Sequence, residues 1–142
     1  MKKILSLIAS LVLILGCFAS VASAADNGIT PYLNNVSRTY SDFYIDDNGK
    51  ATVTVSYTGY AGVTTGATIT TKLQKRFLLF FWNDVDIGTA NNEWVDETTA
   101  TNYSNSHSIN VSSGTYRVQI EYVIRGTGGT NDTVNTEIEA EY

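Results

Sequence analysis

The clearest pattern in this chain is a strict alternation of apolar and polar positions in its C-terminal part. From Ala51 to Thr58, apolar side chains alternate with threonine and serine. The same two-residue period runs from Tyr116 to Arg125 and from Val134 to Glu141. Because successive side chains of a strand point to opposite sides, this pattern predicts strands with one buried and one exposed face.

Turn-forming residues separate these predicted strands. Asn48-Gly49 can supply the positive φ of a tight hairpin, Ser112–Gly114 precedes the Tyr116 strand, and the glycine-rich segment 126–132 joins the last two strands. Seven or eight strands at such short spacing predict an all-β fold, an antiparallel β-sandwich. Their expected bounds are 36–45, 50–60, 66–76, 81–88, 92–97, 105–112, 115–125 and 133–142.

Gly114-Thr115-Tyr116 opens the penultimate predicted strand. A tyrosine at this position is typical of the tyrosine corner of immunoglobulin-like sandwiches, where its hydroxyl hydrogen-bonds to nearby backbone. An ordinary core tyrosine is the alternative. We expect an immunoglobulin-like β-sandwich over residues 36–142, preceded by an N-terminal extension over 25–35.

The first 24 residues have the composition of an export signal. Lys2-Lys3 precedes an apolar run over about 4–16, and Ala22-Ser23-Ala24 forms a small-residue cleavage site. We expect cleavage between Ala24 and Ala25 and therefore a secreted, extracellular protein.

Cys17, the only cysteine, leaves an alternative localisation open. Leu15-Gly16-Cys17 is similar to a bacterial lipobox, and lipidation of the cysteine would give a membrane-anchored lipoprotein. Under the secretion hypothesis the cysteine is removed, and the mature domain then has neither disulfides nor thiolate chemistry.

The charge of the mature segment limits its partners. Removing Lys2 and Lys3 leaves seven basic and all 14 acidic residues, a net charge of −7. Such an acidic surface repels phosphate backbones, and no basic stripe offsets it, so we expect no nucleic-acid binding.

Six short motifs follow one another along the body. They are Gly28-Ile29-Thr30-Pro31, Gly49-Lys50-Ala51-Thr52-Val53, Tyr57-Thr58-Gly59-Tyr60, Thr65-Gly66-Ala67-Thr68-Ile69, Phe81-Trp82 and the turn 112–116. With the export signal, they make the chain resemble uncharacterised small secreted β-sandwich proteins of Gram-positive bacteria. The resemblance covers most of residues 28–142 and implies an exported sandwich domain, without an activity.

One segment does not alternate. Six consecutive apolar residues follow Lys72, Lys75 and Arg76, namely Phe77, Leu78, Leu79, Phe80, Phe81 and Trp82. One interpretation is a strand end and connection covered on both faces. The other is an exposed apolar tip beside basic residues, suited to a membrane interface or a partner groove. An uncovered run would also favour self-association.

Aromatic residues raise the question of glycan binding. Sugar-binding sandwiches stack rings on exposed aromatics and contact hydroxyls with nearby polar side chains. Trp82, Trp94, Tyr60 and Tyr103 are the candidate platforms, and Asn91, Asn92, Glu93, Asp96 and Asn102 are the candidate polar partners. The alternative is that both tryptophans pack in the core.

No motif indicates a cofactor or an enzyme. Asp46–Gly49 lacks the ligand spacing of an EF-hand and is better interpreted as a hairpin turn. Asp84, Asp86, Glu93 and Asp96 could bind calcium only if their segments converge. His107, the only histidine, lacks a nucleophile motif, and Gly126–Gly129 lacks the lysine of a phosphate-binding loop.

We therefore expect a non-enzymatic exported domain without cofactor or metal. The first hypothesis is binding of a protein or glycan at the cell envelope or outside the cell. The alternative is a membrane-active or self-assembling protein that uses segment 77–82. Membrane association is expected only through that segment or through Cys17 lipidation.

Overall fold

The computed structural model describes residues 33–142, and the expected signal peptide, its cleavage site and Cys17 lie outside this range. The described chain contains eight strands and no helix. The strands are β1 (Val36–Ile45), β2 (Lys50–Gly59), β3 (Thr64–Phe77), β4 (Phe81–Asp84), β5 (Glu93–Thr98), β6 (Asn102–Asn110), β7 (Thr115–Gly126) and β8 (Asp132–Glu141).

The strands form two antiparallel sheets. Sheet A has the order β1-β2-β6. In sheet B, β7 lies between β3 and β8, while β5 and β4 share the other edge of β3, along 67–72 and 74–77 respectively. β1, β2 and β6 correspond in their order to strands A, B and E of an immunoglobulin-like sandwich, and β3, β7 and β8 correspond to its strands C, F and G. The predicted fold class is confirmed.

Two strands, β4 and β6, differ from the prediction by three residues or more at one end, and the other differences are one or two residues. β4 ends at Asp84 instead of 88, because Asp86 Oδ1 accepts a hydrogen bond from the Gly88 N–H at 2.9 Å and turns the chain away from the sheet. β6 covers Asn102–Asn110 instead of 105–112. Its alternation of exposed and half-buried side chains begins three residues earlier than the apolar positions alone indicated.

The core lies between the sheets, and it includes the inward side chains of β2 and β7 that the alternation predicted. Its buried members are Val36, Phe43, Ala51, Val53, Val55, Tyr57, Ala67, Ile69, Leu73, Tyr116, Val118, Ile120, Tyr122 and Ile124. The Tyr122 hydroxyl donates to the Tyr40 carbonyl at 2.8 Å and bonds to the Ser41 hydroxyl at 2.7 Å, so it joins sheet B to sheet A.

Tyr116 has the predicted tyrosine-corner geometry. Its ring is buried, and its hydroxyl donates to the Ser112 carbonyl, four residues upstream, at 2.6 Å. The bond anchors the connection between β6 and β7 at the end of the sandwich where β3 finishes.

The other end of the sandwich is closed by buried polar groups. The Asp132 carboxylate accepts hydrogen bonds from the backbone N–H groups of Asn34, Asn35 and Val36 at 2.9, 2.6 and 3.0 Å. The fully buried Asn35 side chain donates to the Thr130 carbonyl and accepts from the Gly128 N–H. These bonds fix the start of β1 against the β7–β8 connection.

Candidate functional site

The most unusual surface of the described domain is the end of the β3–β4 hairpin. All five side chains from Phe77 to Phe81, here named the apolar tip, are between 55% and 83% exposed. A compact domain gains stability by burying such side chains, so a contiguous exposed group of them is typical of an interaction surface. The structure therefore shows an exposed apolar tip, and not a connection covered on both faces.

The base of the hairpin is polar and aromatic. Arg76 lies opposite Trp82 in the ladder, one step below the Phe77–Phe81 pair. The guanidinium groups of Arg76 and Arg117 lie over the half-buried Trp82 ring, 4.8 and 4.5 Å from its centroid. The hairpin therefore changes from apolar at its tip to a cationic and aromatic belt within one pair of residues.

The tip retains a backbone conformation that leucine rarely adopts. Leu78 has a φ of 56°, in the left-handed region where glycine is normally favoured. A bulky residue in this conformation costs about 1–2 kcal/mol relative to the right-handed one. The chain thus carries an exposed apolar side chain where glycine would relieve the strain, which is consistent with a function for that side chain.

The tip is exposed because sheet A does not cover it. On β3 the inward positions continue from Leu73 through Lys75 to Phe77, whereas β6 ends at Asn110. The hairpin and the segment after β6 leave between them a cleft of about 550 Å³. The inward-facing row of β3 therefore extends beyond the part of the sandwich that sheet A covers.

Trp94 lies away from the tip, in a side-chain cluster between the sheets. Its ring stacks on His107 at 5.2 Å, with 6° between the planes. His107 Nε2 lies 2.8 Å from Asp96 Oδ2, and the other oxygen of this buried carboxylate accepts from Tyr103 and Asn105. Burial is the largest of the causes that raise the pKa of Tyr103, followed by its bond to Asp96.

This cluster connects β5 of sheet B to β6 of sheet A, along an edge where the two strands do not pair. Sequence reasoning named Trp94, Tyr103 and Asp96 together as candidates for glycan binding and considered His107 apart from them. It could not predict that they meet around His107, because these contacts cross from one sheet to the other.

The four acidic residues considered for calcium do not converge: Asp84 and Glu93 lie beside Lys72, Asp86 accepts the Gly88 N–H, and Asp96 lies in the His107 cluster. Lys72 Nζ lies 3.1 Å from Glu93 and 3.7 Å from Asp84, and its hydrogen bond to Glu93 is the largest cause that raises the pKa of Lys72. Asp96 instead faces His107. Within residues 33–142, no three metal-ligating side chains form a group that could hold an ion.

The residues considered for glycan binding do not share one surface. Tyr60 is exposed at the β2–β3 turn, and Asn92 has a positive φ of 54° in the turn before β5. Trp82 lies under guanidinium groups and Trp94 lies against His107. Within the described domain, a platform of two aligned aromatic rings is not formed by these two tryptophans.

Comparisons with known proteins give no family. No family model and no curated protein matches the chain. A crystal structure of a Bordetella pertussis protein, provisionally assigned as ApaA, is similar with 13% identity and a TM-score of 0.37, covering 77% of this chain and 95% of that one. A similarity at this level assigns no activity. The described residues include no helix long and apolar enough to cross a membrane.

Proposed function

We propose that this protein is an exported binding domain that attaches reversibly to a lipid bilayer through the apolar tip. The observation that carries the proposal is the exposure of five consecutive apolar side chains, Phe77–Phe81, at the end of a hairpin. Export follows from the sequence-based expectation of a signal peptide and is part of the proposal.

The order of polarity along the hairpin supports a bilayer as the target. Leu78, Leu79 and Phe80 form the end, and the Arg76–Trp82 pair lies behind them. Tryptophan and arginine favour the headgroup region, where an aromatic ring or an alkyl stem contacts apolar groups while the polar end meets water. The hairpin thus matches the change from hydrocarbon to headgroup.

The expected strength of attachment is moderate. Removing a Leu or Phe side chain fully from water contributes roughly 1.5–3 kcal/mol. The five partly exposed side chains then offer on the order of 5–10 kcal/mol before the cost of immobilising the protein. This free energy is similar to the membrane-binding free energy of one fatty acyl chain, which attaches a protein reversibly. If Cys17 is lipidated, the tip would supply the second contact that stable anchoring requires.

Vesicle flotation combined with size-exclusion chromatography tests the proposal. The protein is expressed with its leader and recovered after export. We expect a monomer that floats with phosphatidylcholine vesicles and still floats in about 1 M salt, where charge interactions are screened. A protein that remains with the soluble fraction at low and high salt would contradict the proposal.

The same experiment distinguishes a bilayer from the other possible partners of the tip. A dimer or larger assembly that dissociates when the tip is made polar would indicate self-association through the tip. A monomer that ignores lipid would return the search to the protein or glycan partner expected first from the sequence.

A further inference from the structure

The cleft beside the apolar tip has the character of a site for an amphiphile. Its volume is about 550 Å³. Its apolar wall consists of Phe77, Val85, Ile109 and Val111. Lys75, Ser112 and Tyr116 line the same space. The cleft is continuous with the apolar tip through Phe77, so a molecule that touches the tip can also reach the lysine.

Lys75 differs from the other cations around the hairpin. Lys72, Arg76 and Arg117 form ion pairs with Glu93, Glu139 and Glu137. Among the described residues, Lys75 has no carboxylate within ion-pair distance. Its Nζ donates to the Ser112 hydroxyl at 2.7 Å and lies 5.3 Å from the centroid of the Tyr116 ring.

The ammonium group of Lys75 therefore has donors left for a further acceptor. An ammonium carries three N–H donors, of which the bond to Ser112 uses one. Of the other charged groups lining the cleft, Arg76 pairs with Glu139 and Asp84 lies 3.7 Å from Lys72, whereas the Asp86 carboxylate accepts the Gly88 N–H and keeps its charge. Lys75 is the cation that this cleft offers to an anion.

The position of Lys75 along the strand matches the depth of a lipid phosphate. Lys75 and Phe77 lie on the same inward face of β3, two residues and about 7 Å apart. When Phe77 and the residues beyond it contact hydrocarbon, Lys75 lies at the level of the headgroups.

We propose that the cleft binds the phosphate of an anionic lipid headgroup, with Lys75 as its ligand and Phe77 against the acyl chain. This inference rests on the proposed function, because the headgroup reaches the cleft only when the tip lies in the bilayer. It adds a lipid preference to a domain whose net charge alone would disfavour anionic membranes.

The test compares two variants of equal charge. Lys75→Gln removes the cleft cation, whereas Lys72→Gln removes a cation of the same strand that is paired on the outer face. Each exported protein is titrated with phosphatidylglycerol and with phosphatidylcholine vesicles. We expect Lys75→Gln to bind phosphatidylglycerol roughly fivefold more weakly than Lys72→Gln, the effect of one basic residue at an anionic surface. On phosphatidylcholine the two variants should bind equally, and Lys75→Arg should restore the affinity for phosphatidylglycerol.

The outcomes separate this inference from the proposed function. If Lys75→Gln and Lys72→Gln bind phosphatidylglycerol equally, the cleft is not a headgroup site, although the tip still binds membranes. If the unchanged protein binds neither vesicle, the proposed function fails and the headgroup site with it. If inorganic phosphate binds the vesicle-free protein in a Lys75-dependent way and more tightly than phosphatidylglycerol vesicles do, the site takes free phosphate, and the commitment to a lipid is wrong. Thermal unfolding followed by circular dichroism confirms that each variant is folded.

Discussion

The two ends of the sandwich, at the start and at the end of β3, differ in how the core is closed. Near Thr64 the sandwich buries polar groups and satisfies them, with the Asp132 carboxylate bonded to three backbone N–H groups. At Phe77 it exposes apolar groups and leaves them without a cover. The closed end shows that this fold can cover an end of its core where a buried carboxylate accepts the backbone N–H groups. The open end is therefore better explained by an interaction than by a general inability to close.

The closed end should be the more sensitive to mutation. Asp132→Ala removes the acceptor of three buried or half-buried backbone N–H groups, and each unsatisfied donor costs about 1–3 kcal/mol. We expect a loss of about 3–4 kcal/mol in the free energy of unfolding, measured by urea denaturation. Asp132→Asn, which retains one acceptor oxygen, should lose less. A loss below about 1 kcal/mol for Asp132→Ala would mean that the polar network does not hold this end together.

The open end should respond in binding and not in stability. Replacing both Leu79 and Phe80 with serine removes two exposed apolar side chains, each contributing at least about 1.5 kcal/mol on insertion. We expect vesicle affinity to fall about 100-fold, with the free energy of unfolding unchanged within about 0.5 kcal/mol.

A matched control for the tip is Tyr60→Ser, which changes an exposed aromatic side chain at the opposite end. It should bind vesicles like the unchanged protein. Global unfolding of the tip variant would instead identify the tip as part of the core.

Between the two ends, Tyr122 should contribute stability that depends on pH. Burial raises the pKa of Tyr122 above its ordinary value near 10, against a lowering by the Ser41 hydroxyl. The neutral form is therefore favoured by folding, and its contribution is complete below pH 10 and is lost as the pH rises through the folded-state pKa. We expect Tyr122→Phe to cost about 1–2 kcal/mol at pH 8, where two cross-sheet bonds are lost.

The pH dependence distinguishes this role from simple packing. The difference in unfolding free energy between the unchanged protein and Tyr122→Phe should shrink between pH 8 and pH 11. A difference that stays constant over this interval would show that the hydroxyl contributes nothing to the alkaline loss of stability.

Leu78→Gly should change the free energy of unfolding only slightly, and the direction of this change is informative. Glycine relieves the positive φ of 56° but adds entropy to the unfolded chain. We expect the free energy of unfolding to stay equal or to rise by less than about 1 kcal/mol, while vesicle affinity falls about tenfold. A clear loss of stability would mean that the leucine side chain supports the turn itself.

The features of the closed and the open end also differ in how far they could be predicted from the sequence. Alternation located the strands because a period of two reports directly which side chains face the core. The Tyr116 corner could also be predicted from the sequence, since its hydrogen bond spans only four residues. The role of Asp132 was not, because its partners lie 96 to 98 positions away and nothing local marks an acidic residue as buried.

The tip could be located but not interpreted from the sequence. An unbroken apolar run lacks the alternation that would assign one face to the core, so a covered and an exposed segment look the same. The ladder partner of Arg76 is local, but the contribution of Arg117 comes from β7. The unpaired state of Lys75 likewise depends on where three sheet-B carboxylates lie.

The most direct test of membrane insertion measures the depth of the tip. Cys17 is the only cysteine, so Cys17→Ser combined with Leu79→Cys gives a single site for an environment-sensitive fluorophore. A matched protein carries Asn131→Cys at the closed end. With vesicles, we predict a blue shift at position 79 and quenching by labels on the upper acyl chain, and no change at position 131. Emission at position 79 that remains typical of water while the protein is mixed with excess vesicles would contradict the account.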